Sequence, residues 1–200
     1  MLKKIFLFSF ALFSGYQGFS QIIQQRDMKP LFRNIEDEKW DSAFIKANAI
    51  LKKFKKDSSD YKAVANYAAV LAAAGLVSQD KMSYDSLYAI LHKFLGKRLM
   101  MPMYPVTTDT LNIGHNRTYL KENDAKIYGA TNMKGTKSAT ILSIEHFEFA
   151  DVFEIGRFRG ENARCSGILS SYELNHHGDK YWVMRLFFKN AVIVLIKPRN

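Results

Sequence analysis

Glu145-His146-Phe147-Glu148, with Asp151 and Glu154 close behind, is the densest group of acid–base side chains in the chain. Paired carboxylates can divide the roles of general acid and general base between them. On a helix, three-residue spacing would bring Glu145, Glu148 and Asp151 onto one side. Glu145, His146 and Glu148 are therefore the catalytic candidates. An acidic edge facing solvent accounts for the same residues, because charged side chains favour the surface.

His176 and His177 fall in a loop, Asn175-His176-His177-Gly178-Asp179, where binding residues are common. Adjacent histidines can join a metal site, but no cysteine or further histidine stands at a ligand spacing, and no metal centre is expected. Arg157 and Arg159, in Gly156-Arg157-Phe158-Arg159-Gly160, would leave one face of a strand. Their forked guanidinium groups suit a carboxylate or phosphate. The same charges would also guard an edge strand against pairing. Arg157, Arg159, His176 and His177 are the binding candidates. The chain has no glycine-rich phosphate loop, Gly-x-Ser-x-Gly elbow or His-Glu-x-x-His motif, and nothing in it calls for a cofactor.

Residues 1–20 have the three parts of an export signal: Lys3 and Lys4, an apolar run over Ile5–Phe13, and Gly18-Phe19-Ser20 before a cut at Gln21. The apolar run is about half the roughly 20 residues needed to span a bilayer. The expected address is the periplasm or the medium of a bacterial cell, with no transmembrane segment after cleavage. Cys165, the only cysteine, cannot form an internal disulfide, so the exported chain must be held by core packing. Its setting suits a small buried side chain.

The formal charge is +10, and loss of Lys3 and Lys4 lowers it to +8. The excess is spread over both halves. Lys52-Lys53-Phe54-Lys55-Lys56 is the nearest approach to a basic stripe, and it describes a solvated helix end with Phe54 turned inward. Specific nucleic-acid binding is not expected, whereas weak attraction to anionic surfaces is.

These side chains hang on two kinds of element. Residues 21–101 form a helical module. Trp40, Ala43, Ala47, Ile50, Leu51 and Phe54 share one helical face, Tyr61–Gly75 is apolar almost all round, and Ser83–Gly96 makes a third helix. Met100-Met101-Pro102-Met103-Tyr104-Pro105 breaks the helical pattern and marks the boundary. Residues 102–200 form a β-rich module, with strands over Lys137–Ile144, Phe153–Phe158, Ile168–Leu174, Lys180–Phe188 and Ala191–Lys197. Lys189-Asn190 reads as a tight hairpin turn, and Thr107–Lys137 as a long loop with one short strand near Lys126–Tyr128. Ile141–Ile155 fits neither period and could hold a strand followed by a short helix. The fold class is α+β, a helical bundle followed by a mainly antiparallel β domain, either a small barrel or a sandwich.

Trp40-Asp41-Ser42-Ala43-Phe44 aligns without gaps on Tyr84-Asp85-Ser86-Leu87-Tyr88, and the apolar positions beyond stay in register. Over residues 35–96 this resembles tetratricopeptide-like helical repeats. The resemblance implies binding of a partner's peptide or helix, without assigning contact residues. The expected function is an exported, non-enzymatic module that binds a protein or envelope component. One alternative is a small exported hydrolase in which Glu145, His146 and Glu148 meet His176 and His177 in one cleft. The other is a basic module for an anionic polymer, which requires a continuous Lys/Arg face.

Overall fold

The computed structural model describes residues 22–108, 116–135, 140–176 and 181–195. The export signal and His177 lie outside the described residues.

Among the described residues four helices come first. α1 (Gln25–Glu36) opens with a reciprocal cap, in which the Gln24 N–H donates to Asp27 Oδ2 at 3.0 Å. It runs through Pro30 and buries Met28 and Leu31. α2 (Trp40–Lys53) places Trp40, Ala43, Ala47 and Ile50 inward, and Phe54 is buried just past its end. α3 (Asp60–Ser78) is buried along nearly its whole length. By length and composition it could cross a membrane, yet 78% of its most apolar stretch is covered by the rest of this protein. Its alanines and Gly75 allow close packing: a Cβ at Gly75 would come within 2.2 Å of the Trp40 ring of α2. α4 (Tyr84–His92) is capped by Ser83, whose Oγ accepts from the Ser86 N–H at 3.2 Å.

Six strands follow and close into a barrel in the order β1-β2-β3-β4-β6-β5. They are β1 (Arg98–Thr107), β2 (Thr118–Asn123), β3 (Lys126–Lys134), β4 (Ile141–Phe149), β5 (Asn162–Leu174) and β6 (Trp182–Leu195). The β1–β2 and β4–β6 pairs are parallel, and the other four are antiparallel. The α+β class and the order of helices before strands are as expected, and the β half is a barrel.

Several local expectations are corrected. Met100–Pro105 lies inside β1, and Pro102 sits at a bulge between Met100 and Met103, where a missing N–H is tolerated. The expected long loop contains the β2–β3 hairpin, turned by Asp124 and Ala125, both at positive φ. Lys189-Asn190 is a bulge within the continuous strand β6: Asn190 has φ 49°, both residues are exposed, and the inward side changes from Phe188 to Ala191. Phe153–Phe158 is no strand, because Ile155–Phe158 forms a single turn of 3-10 helix.

α3 joins the two halves. It packs on α1, α2 and α4 and against β1, β4 and β6. One buried apolar cluster runs continuously from Ile23 through the helices to Ala191 of β6.

Candidate functional site

The catalytic trio is divided by the two-residue period of β4. Glu145 points into the barrel between Ser143 and Phe147, whereas His146 and Glu148 point outward. The helical spacing that would have united the carboxylates is therefore absent. Glu145 is fully buried. Tyr67 of α3 donates to its Oε1 at 2.8 Å, Thr131 of β3 to its Oε2 at 2.5 Å, and the Ser143 hydroxyl to Oε1. Burial pushes the Glu145 carboxyl above its ordinary range, against the pull of these three donors. Burial and the neighbouring Glu145 push Tyr67 up in turn. Cys165, on the same interior, is pushed up to about 12 by burial, with Thr118 opposing and Glu145 adding to the shift. It is a thiol at neutral pH.

On the outer wall, the His146 ring stacks on Phe187 of β6, with centroids 5.0 Å apart. Burial and Arg185 lower its pKa, while Glu173 raises it. Glu148 is paired with Lys126 at 2.8 Å. Arg157 and Arg159 are exposed around the 3-10 turn and share no strand face. His176 is exposed beside Tyr84 of α4, with ring centroids 5.2 Å apart. The shared cleft expected for Glu145, His146, Glu148 and His176 does not form. Among the described residues no three His, Cys, Asp or Glu side chains gather as metal ligands.

A different set of residues does converge. Between α2, α3 and the end of α4 lies an open groove of about 1140 Å³. Its floor is apolar, made by Phe44, Ile45 and Leu51 of α2, Ala63 of α3, Ile90 of α4, and Phe94. Ile45 is 69% exposed there, an unusual position for a large aliphatic side chain. The walls carry Lys52, Lys55, Lys62, Lys93, Lys97 and Arg98, and among the described residues no carboxylate lines the groove.

Local structure explains why these cations gather. Lys52 and Lys55 stand at the C-terminal end of α2, and Lys93 directly follows α4, where positive charge suits the helix dipole. Lys62 Nζ donates to the Phe54 carbonyl at 2.7 Å, tying α3 to the end of α2. Burial lowers its pKa, Asp57 opposes that shift, and Lys97 lowers it further. Lys97 lies over the Phe94 ring, with Nζ 5.0 Å from the centroid. Arg98 is held at the mouth by Asp60 at 2.7 Å and by Ser166 at 3.1 Å. Asn66 donates to the Arg98 carbonyl at 2.9 Å and fixes the strand against α3.

The groove can therefore hold an anion that also brings apolar groups. Sequence reasoning saw Lys52–Lys56 as a solvated helix end and did not connect it with Lys93, Lys97 and Arg98. Compared with protein-family models, curated proteins and solved structures, the chain matches none. The fold and groove describe a helix-covered six-stranded barrel with a cationic, apolar-floored cleft on its helical side.

Proposed function

We propose that this protein is an exported, non-enzymatic binding module whose groove between α2, α3 and α4 holds an acidic, amphipathic segment of a partner protein. The observation that carries this reading is the combination of six cations with an apolar floor, on which Ile45 is exposed and Phe44, Leu51 and Ile90 are half-buried, in one groove. A polyanion without apolar groups would satisfy the lysines and leave Phe44, Ile45 and Leu51 in water. An amphipathic segment with apolar anchors one helical turn apart and flanking carboxylates satisfies both, as in other helix-in-groove interfaces. Mutual repulsion between Lys62 and Lys97 adds a reason for an anion to dock there.

Fluorescence anisotropy with a labelled acidic amphipathic peptide tests the reading. The peptide should bind saturably, and about tenfold more weakly once its glutamates are replaced by glutamine, a loss of about 1.4 kcal/mol. Raising the salt should weaken binding, because the rim charges are exposed. Equal or tighter binding of polyglutamate or heparin would transfer the groove to an anionic polymer.

A further inference from the structure

A second cavity, about 430 Å³ in volume, opens on the flank of α3 facing α1 and β1, and shares no lining residue with the cationic groove. Its size falls within the range of small-molecule sites. Buried Tyr67, Ala68 and Leu71 of α3 and Met101 of β1 form its inner wall. Phe32, Tyr61 and Met103, which are 36%, 36% and 42% exposed, ring its mouth. Large apolar side chains gathered at one opening favour an apolar occupant, and two or more methionines let such a wall adapt to its shape.

One charged group from the barrel reaches this apolar space. Arg164 projects from β5, where its backbone lies between Met103 of β1 and Val194 of β6. Arg164 is partly buried, and its Nε–H is shielded from solvent without an acceptor among the described residues. Among the described residues no carboxylate forms an ion pair with Arg164. A hidden guanidinium donor without an acceptor is costly, and a carboxylate is the acceptor whose geometry matches it best. Gln25 and Glu36 of α1 supply the remaining polar lining, on an element separate from β5.

We propose that this cavity binds a small amphipathic carboxylic acid, with the carboxylate on Arg164 and an acyl or aryl body along Phe32, Tyr61, Met101 and Met103. The inference is independent of the groove, since the two sites use different faces of α3.

Calorimetric titration of the full chain with dodecanoate, kept below its micellar concentration, tests the proposal. Dodecanoate should bind saturably, while dodecanol and dodecylamine should bind at least about tenfold more weakly. Arg164→Met retains an apolar stem of similar reach and removes the unpaired donor, so the fold should persist while dodecanoate affinity falls about tenfold. Met103→Glu places a carboxylate directly opposite Arg164 in the β1–β5 pairing and should weaken dodecanoate binding by occupying that guanidinium. Equal binding of dodecanoate and dodecanol, preference for dodecylamine, undiminished affinity in Arg164→Met, or no saturable binding would each overturn the assignment.

Discussion

Glu145→Ala should cost about 3 kcal/mol of folding stability, whereas Glu145→Gln should fold as well as the parent at neutral pH or better. Alanine removes the acceptor shared by Tyr67, Thr131 and Ser143 and leaves three hydroxyls in a closed interior. Glutamine keeps an oxygen for those donors and carries no charge to desolvate. The pH dependence has a definite sign. Burial raises the folded-state pKa of Glu145 above the ordinary glutamate value of 4.5, so the native state binds its proton more tightly than the unfolded chain. The contribution is fully present below 4.5 and is lost as pH rises through the folded-state value. Denaturant melts at several pH values check this. The advantage of Glu145→Gln over the parent should grow from acid to neutral pH, and a gap that does not change with pH would show that the carboxyl does not titrate as its burial implies.

Reversing Lys52, Lys55 and Lys93 together to glutamate should weaken binding of the acidic amphipathic peptide by about 100-fold, at roughly 1 kcal/mol for each reversed rim charge. All three are exposed, so the thermal transition should move little. A generic field effect would follow net charge alone. The control is therefore Lys29, Lys121 and Lys189 reversed to glutamate, which changes net charge equally at exposed positions outside the groove. It should weaken binding only a few-fold, with the difference vanishing at high salt. Ile45→Ser supplies the apolar arm and should cost the peptide several-fold in affinity while leaving polyglutamate unaffected. Equal losses from the two charge triples would remove the groove from the account.

What could be read from the chain followed the regularity of each pattern. α2 and α4 carry apolar residues at helical spacing and the α3 segment is apolar almost all round, and helices form at all three. α1 carries Pro30 in its interior and buries only Met28 and Leu31, so its pattern was too short to stand out. The β2–β3 hairpin lacks the glycine that marks most two-residue turns: Asp124 and Ala125 adopt positive φ without it. At Lys189-Asn190 two polar residues between apolar runs imitate a turn, and only the pairing with β5 and β4 shows a bulge. Glu145 was the deepest misreading. Ser143, Glu145, Phe147 and Phe149 alternate with outward residues, but a carboxylate at an inward position hides a strand period from any hydrophobic pattern.

The groove was illegible for a different reason. Lys52 and Lys55 lie some forty residues from Lys93 and Lys97, and each pair alone describes an ordinary basic helix end. Only the packing of α2 and α4 on either side of α3 brings them over a common floor. Arg164 was equally hidden. Its neighbours in sequence predict nothing about Tyr61, Phe32 and Met103, which reach the same cavity from other elements.

The central claim is that the α2–α4 groove takes an acidic segment with apolar anchors. Photo-crosslinking tests it most directly, using the acidic amphipathic peptide with a benzophenone at its central apolar position and mapping the adducts by mass spectrometry. The account predicts saturable adducts on Phe44, Ile45, Leu51 or Ile90, suppressed by unlabelled peptide and absent from the Lys52/Lys55/Lys93 reversal. Adducts concentrated on the outer barrel wall, or adducts on the groove that persist undiminished after the reversal, would contradict it.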